Sequence, residues 1–263
     1  MFGNLFNAVL YQPFLNTLLW IYDVMPFHDF GIAIILLTLL IKFALFYPSL
    51  QAIRQQKGMQ ELQPKLEALK EKYKDDKEEL GKQMMQLYKE HKVNPLSSCL
   101  PLLIQLPILI ALFQVLNNGL QLDAVTGILS PASLSHLYEP LRTIYSTTAI
   151  NREFLGFMDL TAKHNIVLAV LTGAAQFAQT KMMQNKRPAV KSEGSKDEDM
   201  AAIMNKQMLY FLPVMTIVFG YQFPAGVALY WFASTMFTWG QQLFFLREGK
   251  RLDAAKATII DVQ

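Results

Sequence analysis

The sequence predicts an all-α polytopic membrane protein with five transmembrane helices, a cytoplasmic helical hairpin and an N-terminal interfacial helix. Three observations carry this. The chain of 263 residues is 52% hydrophobic and 17% charged, with a mean hydropathy of +0.21, an unusual balance for a soluble domain. Its charges gather into blocks at 54–92, 181–206 and 247–261, separated by long uncharged stretches. Lys and Arg are also distributed unevenly: ten lie in 51–95, six in 181–206 and four after 246, against none in 1–29 and three in 118–163. Basic residues concentrate in cytoplasmic segments. Five spans therefore put the N-terminus outside and the C-terminus in the cytoplasm.

Residues 1–29 read as an extracytoplasmic amphipathic helix lying in the interface. Phe2, Leu5, Phe6, Val9 and Leu10 recur at helical spacing, with Asn4, Asn7 and Gln12 between them and Trp20 and Tyr22 as interfacial anchors. A sixth span is the competing reading. The segment has neither the basic start nor the small-residue cleavage site of a signal sequence. The first span covers 30–50 and is apolar except for Lys42. Residues 51–95 form the cytoplasmic hairpin: Met59, Leu62, Leu66, Leu69 and Tyr73 step as a coiled-coil seam, which Leu80, Met84, Leu87 and His91 resume after Asp75–Asp76. Pro64 predicts a kink or a helix start in the first arm. The remaining spans cover 96–117, 164–184, 204–222 and 227–246, near the ~20 residues that cross a bilayer. Between and after them lie an extracytoplasmic loop (118–163), a cytoplasmic loop (185–203), an outer turn (223–226) and a basic cytoplasmic tail (247–263).

The chemistry expected of the chain is not enzymatic. A single cysteine, Cys99, excludes an intramolecular disulfide and a thiolate metal cluster. His28, His91, His136 and His164 lie outside the spans, none with a second ligand at metal spacing, and no GxSxG, HExxH, Walker A or GxGxxG motif occurs. No cofactor or metal is expected. The informative residues are polar ones inside spans. Thr38 and Lys42, four apart, share a face of the first span. Gln105 and Gln114 lie in the second span, Thr172, Gln176, Gln179 and Thr180 in the third, and Tyr230, Trp231, Ser234, Thr235 and Thr238 in the fifth. A lysine in hydrocarbon is expensive unless it finds water, a partner or the interface. Lys42 lies six residues before Pro48, about 9 Å of helix rise, so it can snorkel to the headgroups. Alternatively, the polar stripes line one wet cavity around it. Met84 and Met85, beside basic residues, suit a surface that touches varied apolar segments.

The stretch "LQPKLEALKEKYKDDKEELGKQMMQLYKEHKVNPLSSCLPLLIQLPILIALFQVL" resembles the YidC-type membrane protein insertases, a family with relatives in mitochondria and chloroplasts. Tyr47–Pro48 matches the end of that family's first core span. Phe223–Pro224–Ala225–Gly226, followed by Tyr230 and Trp231, matches its last turn. The resemblance runs from about residue 30 to 250. It implies an insertase and chaperone that moves hydrophobic segments and short polar tails of nascent membrane proteins laterally into the bilayer. The route is a positively charged hydrophilic groove, and no nucleotide is hydrolysed.

By that resemblance the groove holds Lys42 with Thr38, Gln105, Gln176 or Gln179, Tyr230 and Trp231, and the hairpin residues Met59, Met84 and Met85 receive the substrate. The family more often carries arginine where this chain has Lys42, and lysine keeps the charge but loses the bidentate fork. The implied partners are nascent membrane proteins such as small subunits of the ATP synthase type, the ribosome through the hairpin and basic tail, the Sec translocon and the signal recognition particle receptor. The implied form is a monomer in a bacterial plasma membrane, short because only 29 residues precede the first span. The rival reading is a small transporter or channel with Lys42 as a substrate or proton site; five spans without an internal repeat argue against it.

Overall fold

The computed structural model describes residues 2–94, 100–123, 125–183 and 196–260. Its elements, in chain order, begin with α1 (Phe2–Phe6), a π-helical turn (Asn7–Tyr11), α2 (Gln12–Val24), α3 (Phe30–Ala44), α4 (Phe46–Lys72) and α5 (Lys77–Glu90). There follow α6 (Leu100–Gln114), a second π-helical turn (Val115–Gly119), α7 (Pro131–Leu134) and α8 (Glu139–Tyr145). A small antiparallel pair, β1 (Glu153–Phe154) and β2 (Met158–Asp159), precedes α9 (Ile166–Met183), α10 (Lys196–Gln222) and α11 (Ala225–Ile260). Cys99, the stretch 184–195 and the side chains of the basic tail lie outside the described residues.

The first apolar stretch is bent rather than straight. Asp29 starts α3 as its N-cap, its Oδ1 accepting from Ile32 N at 2.9 Å. Pro48 then lacks an N–H for the carbonyl of Ala44 and its ring crowds that carbonyl. The helix accordingly breaks at Leu45, and α4 departs at 69°. Among the described residues no single helix is long and apolar enough to cross a membrane; α3 and α4 pass that test only together. Pro64, by contrast, lies inside α4, which continues past it. The chain turns back at Tyr73–Asp76, where Asp76 caps α5 by accepting from Glu79 N at 3.0 Å. Among the described residues of the α4 arm, Ala52, Ile53, Leu62 and Leu66 are buried. Lys65 Nζ meets His91 Nε2 at 3.0 Å across the two arms.

The N-terminal helix packs into the protein core. Tyr11, Leu15, Leu18, Leu19 and Tyr22 form its buried stripe, whereas Leu5 and Val9 are exposed. Tyr22, read from sequence as an interfacial anchor, is buried and accepts a hydrogen bond from Asn151 N at 3.2 Å; Trp20 is exposed. The buried stripe begins where the apolar residues become large and closely spaced, so it forms the better packing face.

Residues 120–123 and 125–164 make a cap over one end of the helices. Asn16 holds it on one side, donating to His136 O at 3.1 Å and accepting from Tyr138 N at 2.7 Å. Tyr145 is buried beneath it and donates to Leu19 O at 3.3 Å; burial pushes its phenol pKa up. On the other side Phe154 lies against Gly31, where a side chain would collide with it, and Asp29 Oδ2 accepts from Leu155 N at 2.6 Å. The turn into α11 docks here too, with Ala225 N on Ala162 O and Gly226 N on Leu160 O, both at 2.8 Å. Gly226 fits only without a Cβ, which would crowd Leu116 and Ile34. Next to it α9 and α10 approach closely, Gly173 against Ile217 and the Pro213 carbonyl, Gly220 against Ala169. Small residues at such contacts let backbones come near and maximise dispersion.

Candidate functional site

The apolar core is not distributed evenly along the helices. At the cap end it is continuous: Phe30, Ala33, Ile34 and Leu37 of α3, Leu112 and the Val115–Leu116 turn, Leu168 of α9 and Ala225–Tyr230 of α11. Toward the hairpin end the facing residues become polar. Thr38 and Lys42 follow on α3, Gln105 lies at that end of α6, Thr172, Gln176 and Gln179 follow on α9, and Ser234, Thr235, Thr238, Gln241 and Gln242 follow on α11.

One stripe of α11 organises these groups. Tyr230, Ser234, Thr238 and Gln241 are spaced four, four and three residues apart, so they share a helical face. Three other elements meet that face in order. Gln105 Nε2 of α6 donates to the Tyr230 hydroxyl at 2.6 Å. Lys42 Nζ of α3 donates to Thr238 Oγ1 at 3.2 Å. Ser49 Oγ of α4 donates to Gln241 Oε1 at 3.1 Å. One turn further on, the Arg54 guanidinium lies 5.4 Å from the centre of the Phe245 ring, a cation–π contact. Lys42 is half-buried, and no carboxylate among the described residues forms an ion pair with it.

Other residues predicted for the site stand in different places. Thr38 is fully buried and donates to Ile34 O of its own helix at 2.7 Å. Trp231 is half-buried, about 100° around the helix from Tyr230. Gln176 and Gln179 are half-buried on α9, and among the described residues no hydrogen bond joins their side chains to Lys42. The α9 side of α11 is held by Thr172, whose hydroxyl donates to Leu168 O at 2.6 Å and Ala228 O at 3.2 Å, and by Trp239 Nε1 on Met182 Sδ at 3.2 Å. On the hairpin, Met59 and Met84 are half-buried and Met85 is 54% exposed. Met85 shares an open shallow cleft with Glu78, Gly81, Lys82, Gln86 and Lys89.

Ser49, Gln241 and Gln242 were not singled out from sequence, while Ser234 and Thr238 were noted as polar residues of the fifth span without being assigned to the groove. Gln241 Nε2 and Gln242 Oε1 are buried without a hydrogen-bond partner among the described residues. Such a group costs about 1–3 kcal/mol when left unpaired. The four-four-three polar spacing from Tyr230 to Gln241 is the signal that would have revealed the stripe.

Comparison with known proteins places the chain. The family described as 60Kd inner membrane protein matches residues 20–252. A relative from Fusobacterium nucleatum, named membrane protein insertase YidC, is 39% identical over 84% of this chain and 88% of its own length. A relative of the same name from Streptomyces avermitilis is 33% identical over 82% of this chain, which spans only 51% of that protein. A crystal structure described as an active YidC insertase with its first transmembrane domain resolved superposes with a TM-score of 0.53 and 26% identity, over 88% of this chain and 44% of that one. The helical fold, the long reach of the match and the identity to proteins of that name agree, and this chain belongs to the YidC family of inner-membrane insertases.

Proposed function

We propose that the chain inserts nascent membrane proteins through the polar end of the helix bundle, without hydrolysing nucleotide, and that Lys42 is the attracting charge. The observation that supports this most is the split along the bundle, apolar at the cap end and polar at the hairpin end. An incoming segment carries a polar tail, and each unpaired polar group costs several kcal/mol in hydrocarbon. A groove wet from the cytoplasm to mid-membrane and closed beyond shortens that path. Hydroxyls and amides of the α11 stripe replace lost water. Lys42, with no ion pair among the described residues, attracts acidic residues of the tail. The apolar segment then moves into lipid because about 20 apolar residues partition there favourably.

In this reading the hairpin faces the cytoplasm, the cap faces outward, and five spans hold the N-terminus outside. The exposed Met85 with Lys82 and Lys89 makes a receiving face for apolar substrate segments and for the ribosome. Sec translocon and signal recognition particle receptor contacts belong to the same proposal, as does action as a monomer.

The test is nucleotide-free insertion into proteoliposomes of one single-span reporter bearing an acidic, a neutral or a basic tail. The parent inserts all three. Lys42→Ala loses about fivefold on the acidic tail, the factor that corresponds to ~1 kcal/mol of charge attraction in a wet site. Lys42→Glu loses more by repulsion, and Lys42→Arg keeps activity. Equal insertion of the acidic tail by the parent, Ala and Glu variants removes Lys42 from the mechanism. Ion flux without insertion would favour a channel.

A further inference from the structure

We propose that Thr238 is the positioning residue for Lys42, holding its ammonium across the gap between α3 and α11 and so setting the preference for carboxylate-bearing tails. This rests on the insertase reading of the Lys42 groove.

The hydrogen-bond inventory gives the contact a fixed direction. A threonine hydroxyl has one hydrogen, and Thr238 Oγ1 spends it on Ser234 O at 2.9 Å. What faces Lys42 Nζ, 3.2 Å away, is therefore a lone pair. It suits an ammonium and repels a carboxylate. Thr238 thus holds the lysine without competing for the substrate's acidic group. Lysine has three donor hydrogens, and this contact uses one. The other two remain for a substrate carboxylate.

The contact is also braced. The neighbours of both partners, Phe43 and Phe237, meet edge to face with ring centres 5.5 Å apart and an interplanar angle of 81°. That aromatic pair fixes the spacing of α3 and α11 at the level of the Lys42–Thr238 bond. Without the hydroxyl, the four-carbon stem of Lys42 is free to swing toward the headgroups, about 9 Å along the helix. The charge would survive, but at the membrane surface rather than in the groove. Binding gains when the recognising group is ordered in advance. Thr238 supplies that order.

The experiment compares Thr238→Val, which keeps the branched shape and removes the hydroxyl, with Thr238→Ser, which keeps it. Each is made in the parent and in a Lys42→Ala background. Reconstituted full-length protein is assayed with the acidic-tail and neutral-tail reporters, and the readout is the ratio of their insertion. The proposal expects Thr238→Val to lower that ratio by about threefold, less than the roughly fivefold of removing the charge altogether, because the ammonium survives but is displaced. Thr238→Ser restores it, and Thr238→Val has no further effect on the ratio once Lys42 is alanine. If Lys42→Ala lowers the ratio while Thr238→Val leaves it at the parent value, the positioning role is wrong and the groove reading stands. Equal loss on both reporters in Thr238→Val makes the residue structural and overturns the proposal. A ratio indifferent to Lys42→Ala removes the groove reading and this inference with it.

Discussion

Asp123 shows how much one exposed side chain can organise. Its Oδ1 accepts from Val125 N at 3.1 Å, Thr126 N at 2.9 Å and Thr126 Oγ1 at 3.0 Å, closing the turn that leads into the cap. The Thr126 backbone bond, followed by the Thr126 hydroxyl and the Val125 amide, holds its carboxyl below the ordinary value of 3.8. A lowered folded value means that the stabilisation is present above that ordinary value and lost as the pH falls through the lowered one. Protection of the Val125 and Thr126 amides, taken relative to their intrinsic exchange rate at each pH, should therefore hold from neutral pH down to about 4 and fall only in stronger acid. Asp123→Ala, which removes the acceptor, should lack that protection at every pH, whereas Asp123→Asn, which keeps an accepting oxygen, should hold it through the acid range. At this scale Lys42 was legible because a lone charge in an apolar run must find a partner or water. Its partner was not. Thr38, Thr172, Thr180, Thr216 and Thr238 all donate to the carbonyl four residues back, so the sequence presents them as equivalent. Only the approach of α3 singles out Thr238.

Helices were legible where one force acted alone. The seam residues and the Asp75–Asp76 break predicted two arms, and α4 and α5 form them. Two prolines in one segment were harder. Pro48 falls in the first turn of α4, where its missing N–H is no loss, and its ring crowds the Ala44 carbonyl so that α3 breaks from α4 at Leu45, whereas Pro64 is absorbed within α4. The N-terminal stripe at Leu5 and Val9 lost to the one at Tyr11, Leu15, Leu18 and Tyr22 because the second had the cap and α3 to pack against. Close helix contact gives a sharp prediction. Gly173→Val would drive branched carbons into Ile217 and the Pro213 carbonyl, an overpacking that costs about 1–3 kcal/mol. The variant should melt several degrees lower in detergent, measured by circular dichroism. Deleting residues 56–90 across a short linker should instead leave a membrane-stable protein with poor insertion, because Met85 and its neighbours are exposed. Failure of the remaining helices to accumulate would make the hairpin structural.

For the molecule as a whole, the sidedness proposed from basic residues can be checked at sites that the structure leaves open. Val125 is 93% exposed and Asp75 is exposed at the hairpin turn, and neither side chain is the acceptor of a turn as those of Asp123 and Asp76 are. Val125→Cys and Asp75→Cys, each in a Cys99→Ala background, should be labelled by an impermeant reagent on intact cells at 125 and protected at 75. The reverse pattern would invert the molecule. The division into a dry end and a polar end was only half legible. Single polar residues could be placed on spans, but their level relative to one another depends on how the helices are staggered. That stagger comes from tertiary bonds such as Gly226 N on Leu160 O and Ala225 N on Ala162 O.

The break at Leu45 has a mechanical meaning. Beyond it, α4 is a rod of 27 residues, about 40 Å long, and the break is the pivot about which any tilt of that rod would turn. Ser49 sits about 6 Å from the pivot and Lys72 near the far end. A tilt of about 5° would sweep the hairpin tip by roughly 3.5 Å while moving Ser49 by about 0.5 Å at its bond to Gln241. Such a rod would act as a reduction gear: a coarse displacement at the hairpin tip would arrive at α11 as an adjustment on the scale of one hydrogen bond.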